Sequence, residues 1–134
     1  MDIQSFDLEA EAEKGGKFEL MAPRAEGKID MGDGLGVFFE VLGDESSTFA
    51  RNIRAMQDHI RANLASEPKD PDAIARLVLA RTVACAVTGW KGLEHGGIEL
   101  PFSQEAAVEL FSKRPWIARQ IDMFRRNPGN FAPH

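Results

Sequence analysis

From Phe6 to Ala12 apolar and charged residues alternate, with Phe6, Leu8, Ala10 and Ala12 on one side and Asp7, Glu9 and Glu11 on the other. A period of two predicts a strand. Gly15-Gly16 can supply the positive φ angles of a tight hairpin, after which Phe18 and Leu20 repeat the alternation up to Pro23. Gly27 opens a short alternating piece around Ile29 and Met31, and Gly32-Asp33-Gly34 turns the chain into a last strand, Leu35 to Leu42, with Leu35, Val37, Phe39 and Val41 on one face. Residues 6–42 thus predict a small antiparallel β-meander whose apolar side needs a cover.

Beyond Gly43 the period lengthens. Phe49, Ile53, Met56, Ile60 and Leu64 recur at helical spacing behind the N-capping oxygens of Asp44-Glu45-Ser46-Ser47, which predicts an amphipathic helix. Asp70 before Pro71 caps a second helix reaching to about Thr88, apolar nearly all round after Ile74 and so expected to be the buried central one, with Leu77, Val83 and Val87 inside. Gly89 should stop it in the left-handed conformation, with Trp90 just beyond. Gly92 and Gly96-Gly97 bound a loop, Ile98 and Leu100 suggest a short extended piece, and Ser103 caps a third helix with Phe102 as its staple. A fourth begins at Pro115 and ends at Asn127-Pro128-Gly129. The expected fold class is α+β: a small N-terminal antiparallel β-meander followed by a bundle of about four α-helices, in a single domain over 1–134 with a helical part at 44–126 and a flexible tail at 127–134.

Length and composition narrow the classes. A chain of 134 residues can bury about two thirds of the surface its unfolded form exposes, so it needs no staples. The single Cys85 rules out an intramolecular disulfide and fits a reducing cytosol. Met1-Asp2-Ile3-Gln4 brings neither a basic region nor an apolar run, so neither a signal peptide nor a membrane span is expected, and the chain reads as soluble and intracellular. With 16 Lys plus Arg against 21 Asp plus Glu, the formal charge is -5, which argues against nucleic acid or an anionic membrane as partner.

No constellation of reactive residues emerges. Gly32, Gly34 and Gly36 precede a strand rather than a helix, so they read as a hairpin and not a phosphate cradle. Cys85 lies in an apolar helix, where a thiol behaves as a small hydrophobe, and pairing it with His95 as nucleophile and base is disfavoured. His59, His95 and His134 are scattered, and Asp30, Asp33, Asp44 and Glu45 lack the spacing of a calcium loop, so neither metal nor cofactor is expected. Trp90 and Trp116 are either core anchors whose indole N–H reaches a loop carbonyl, the favoured reading, or exposed contact residues. Phe131, a lone aromatic in a polar tail, either docks on the domain or inserts into a partner. The expected class is a binding protein and not an enzyme.

The stretch Arg81 to Phe131, with T-G-W closing a helix, G-G-I-E-L-P-F-S leading into the next, R-P-W-I opening the last and G-N-F at the end, resembles tail assembly chaperones of long-tailed bacteriophages and prophages. The earlier V-L-G-D-E-S-S-T-F resembles the equivalent strand-to-helix junction. The resemblance implies a non-catalytic protein of the host bacterial cytoplasm that binds the tape-measure protein and keeps it soluble until tail-tube protein replaces it, and that is absent from the mature virion. A frameshifted longer form of the chain and a homo-oligomer also fall within what it implies. The alternative is a structural minor tail or tail-completion protein retained in the virion. Partner binding is assigned to Phe49, Ile53, Met56, Ile60, Leu64 and Phe131, through apolar contact.

Overall fold

The computed structural model describes residues 7–23 and 33–131. Helix α1 (Leu8–Lys14) opens the described chain where a strand was expected. Leu, Ala, Glu and Lys are all strong helix formers, and Leu8 and Ala12 share a face at a spacing of four, so seven alternating residues satisfy either period. The Asp7 carboxylate accepts from the Ala10 N–H at 3.2 Å and settles the choice. Gly15, at φ +79°, ends the helix rather than turning a hairpin. The expected piece around Ile29 and Met31 lies outside the described residues.

Strands β1 (Gly16–Met21), β2 (Gly34–Val41) and β3 (Val87–Lys91) form an antiparallel sheet in that order. Its third strand comes from the stretch expected to end the second helix. That helix stops at Ala86, and Gly89 adopts no positive φ but pairs with Glu40 across the sheet. Pairing with β2 decides the outcome: Leu42 N–H donates to the Ala86 carbonyl at 2.7 Å, and the β-branched Val87 and Thr88 continue as strand. One face carries Val37, Phe39 and Val41 into the core, while Lys17 lies over the Phe38 ring on the other. The register Phe18↔Phe39 and Phe39↔Trp90 sets an aromatic row across all three strands. The Trp90 indole N–H donates to the Leu100 carbonyl at 2.8 Å, the loop anchoring expected of it.

Helices α2 (Ser47–Ala62), α3 (Pro71–Ala86), α4 (Gln104–Lys113) and α5 (Pro115–Arg125) cover the core face, giving an α+β fold. The expected caps are in place: Ser46 accepts from Phe49 N–H, Asp70 from Ala73 N–H and Ser103 from Ala106 N–H. Helix α3 is the hub, packing on α2, α4 and α5. Full burial is confined to its second half, however. Ala80 and Val83–Ala86 are inside, Leu77 is half-buried, and Ile74 and Val78 face outward. A short hairpin of β4 (Glu94–His95) and β5 (Ile98–Glu99) bridges to α4.

The described part of the tail, to Phe131, packs on the domain. A 3-10 turn at Pro128–Asn130 is held by Asn130 donating to the Phe124 carbonyl at 2.8 Å, and the Phe131 ring meets Phe124 edge-on at 5.4 Å. Gly43 makes this junction possible, since a Cβ there would come within 2.7 Å of Ala12 and 3.1 Å of Phe131.

Helix α1 is tied to α2 through one carboxylate. Glu13 accepts from the Ser46 and Ser47 hydroxyls at 2.9 and 2.7 Å and from the Thr48 N–H at 3.2 Å. Bonds from Thr48, Ser47 and Ser46 bring its pKa down to about 2 from 4.5. A depressed carboxyl pKa contributes stability that is complete above the unfolded value and lost as pH falls through the folded one. Glu13→Gln should therefore flatten the pH dependence of unfolding between about 4.5 and about 2 relative to the parent protein. Urea midpoints across that window test it, and parallel curves for the two proteins would show the tie to be without weight.

Candidate functional site

Helices α2 and α4 both pack on α3 but scarcely on each other, and the space between them is a groove of about 580 Å³. Asn52, Ala55, Met56 and His59 form the α2 wall, Gln104, Glu105, Val108, Glu109 and Ser112 the α4 wall, and Arg81 and Cys85 of α3 the floor. The floor is fixed from both sides. Asn52 Nδ2 donates to the Cys85 carbonyl at 3.0 Å, satisfying one of the free carbonyls at the α3 C-terminus and tying α2 to it. Gln104 Nε2 reaches the Val87 carbonyl at 3.4 Å from the α4 side.

Arg81 is held by a two-pronged ion pair with Glu67, Nη1 to Oε1 at 2.5 Å and Nη2 to Oε2 at 2.7 Å. The bond to Arg81 lowers the Glu67 pKa, and the same bond raises that of Arg81. Both side chains are about four-fifths shielded, at 17% and 20% exposure, so the pair also clamps the α2–α3 connection onto α3. Along the α4 rim, Lys113 donates to Glu109 at 2.7 Å and lowers its pKa. Glu105 takes part in no ion pair among the described residues.

Chemically the groove can hold apolar groups against Met56, Val108 and Ala55 and offer carboxylates at one rim. Burial pushes the Cys85 thiol pKa up, the opposite of what a nucleophile requires. Among the described residues, no group of three or more His, Cys, Asp and Glu is placed to hold a metal ion. No helix is long and apolar enough to cross a membrane, again among the described residues.

The residues expected to contact a partner divide sharply. Phe49 is buried beneath the Arg125 guanidinium, and Phe131 is buried against Phe124, so both serve the domain's own packing. In this structure Phe131 is docked on its own domain. Ile53 and Met56 are half-buried and attach α2 to the core, Ile60 is half-buried, and Leu64 stands 62% exposed in a 3-10 turn beyond the helix. Only Met56 of the six lines the groove. Phe49, Ile53 and Met56 mark the face by which α2 sits on its own protein, and the groove wall lies beside it. Asn52, Ala55 and His59 were missed because small and polar residues carry no hydrophobic period, and the α4 wall because a groove depends on the separation of two helices distant in sequence. The spacing of four between Glu105 and Glu109 was the one local signal available.

Fold and groove together define a small α+β protein with an open interhelical cleft. The family described as YdaY prophage protein matches residues 44–124, and the chain belongs to that family. The matched span runs from the cap of α2 through nearly all of α5 and includes both groove walls and the floor. No curated protein and no solved structure matches the chain.

Proposed function

We propose that this prophage protein is a non-catalytic tail assembly chaperone that binds helical segments of the tape-measure protein in the host cytoplasm and leaves before the virion is complete. The observation that carries the reading is the α2/α4 groove, a channel between two helices with Ala55, Met56 and Val108 on its walls, in a protein of prophage origin. Grooves of this kind take the apolar face of an amphipathic helix. The resemblance of 81–131 to phage tail assembly chaperones supplies the partner. In this fold those residues shape β3, the hairpin and the starts of α4 and α5, so they build the scaffold that holds the groove.

Co-expression tests the proposal. The tape-measure protein of the same prophage should become more soluble with this chain and co-purify with it, and the complex should persist at about 1 M salt, where the Debye length is about 3 Å and exposed charge pairs are screened. An insoluble tape-measure protein and no co-purification would overturn it. Recovery of the chain in purified particles would favour the alternative, a structural minor tail or tail-completion protein.

A further inference from the structure

The groove has a direction and a charge. Its α2 wall runs from Asn52 to His59 and its α4 wall from Gln104 to Ser112, so at 1.5 Å per residue it is about 10–12 Å long, two turns of helix. The charged side chains are unequally placed. Glu105 and Glu109 stand one turn apart on the α4 rim, whereas the floor's one cation, Arg81, is already neutralised by Glu67. Glu109 has Lys113 as its partner at the surface, and Glu105 has none among the described residues. Ala55 on the opposite wall is exposed and small, which lets a helix backbone come close on that side.

We propose that the groove selects a partner helix carrying an apolar stripe about two turns long flanked on one edge by lysine or arginine four residues apart, the basic edge lying along Glu105 and Glu109. This deepens the chaperone reading and rests on it for the identity of the partner, though not for the chemistry. Apolar contact over Met56 and Val108 supplies the affinity, and the carboxylate rim fixes which way the helix faces, as rim charges do at other interfaces. The match is in both sign and spacing, since i and i+4 side chains lie on one face of each helix. A second copy of this chain is the poorer occupant. The apolar faces of α2 and α4 are turned into their own core through Phe49 and Ile53 and through Ala107 and Phe111, and neither α3, which exposes Ile74 and Val78, nor α5, which exposes Met123, carries lysine or arginine four residues apart.

The test uses the full-length protein and two labelled designed helical peptides with the same apolar stripe, one with lysines and one with glutamates at the flanking i and i+4 positions. The lysine peptide should bind about tenfold more tightly, the size expected for a pair of rim charges changing from attraction to repulsion. The double variant Glu105→Lys/Glu109→Lys should reverse the preference, and Ala55→Trp should abolish binding of both peptides with the thermal unfolding midpoint unchanged. Equal binding of the two peptides, or binding that survives Ala55→Trp, overturns the inference. So does a dimer that Ala55→Trp dissociates, because the occupant is then a second copy. The chaperone reading fails separately: if the tape-measure protein co-purifies equally well with Ala55→Trp, the groove assignment is wrong and the chaperone stands, whereas no co-purification with the parent protein removes the chaperone and leaves the peptide result intact.

Discussion

Replacing Phe39 by alanine should destabilise the protein by about 3–5 kcal/mol, the range for deleting a buried aromatic ring. Phe39 is 0% exposed on the central strand, with Trp90 edge-on at 6.2 Å on one side and Phe111 tilted at 6.0 Å on the other. The rings around it are held by other contacts, Trp90 by Phe102 at 4.9 Å and by its bond to Leu100, so they cannot collapse into the space. A domain of ordinary stability, about 5–15 kcal/mol, would lose about a fifth of it at the least and most of it at the low end of that range. The adjacent Phe38 provides the control. It faces the other way, half-buried under the Lys17 side chain, and Phe38→Ala should cost about 1 kcal/mol. Urea titration of both variants measures the difference. Equal losses would mean the strand register is wrong by one residue, because a slip of one exchanges the two faces.

Sequence pattern located what is local. Each of the caps Ser46, Asp70 and Ser103 involves one side chain and an N–H three residues on, so residue type and spacing were enough to place the starts of α2, α3 and α4. The inward face of β2 followed from alternation for the same reason at Val37, Phe39 and Val41, whereas Leu35, expected with them, is 47% exposed near the start of the strand. Where two periods fit one stretch, pattern alone could not choose. Residues 8–14 satisfy both, and Asp7 with four strong helix formers tips them to helix. At Val87 the change from helix to strand is imposed by β2, whose contacts with β3 cross more than forty residues of sequence and leave no mark at Gly89 itself. The groove was the least legible feature, since its walls are unremarkable in composition. Phe49, Ile53 and Met56 of the α2 stripe pack into the core, and burial within the domain reads the same in sequence as burial against a partner.

Arg125 is held by two carboxylates, and Arg125→Ala should cost about 3 kcal/mol, the lower end for breaking a buried ion pair. Its guanidinium, 9% exposed, meets the Asp44 carboxylate through Nη1 at 2.6 Å and the Asp122 carboxylate through Nε at 2.9 Å and Nη2 at 2.7 Å, and its centre lies 5.0 Å from the Phe49 ring. The Asp44 N–H in turn donates to the Arg125 carbonyl at 3.2 Å, so one residue joins the end of α5 to the turn that caps α2. Removing it opens a space over Phe49 and leaves Asp122, 18% exposed, with only Arg126 at 3.6 Å among the described residues. Asp44 is 53% exposed and can return to water, which limits the loss on that side. Arg125→Met keeps the apolar stem and fills most of the space, so it should recover part of the deficit. The double variant Arg125→Met/Asp122→Leu should recover more, because no partly buried carboxylate is left without its partner. Chemical unfolding of the single and double variants measures this order. If the double variant is no more stable than Arg125→Met, the stranded carboxylate is not the main cost, and the weight of Arg125 lies in its packing on Phe49.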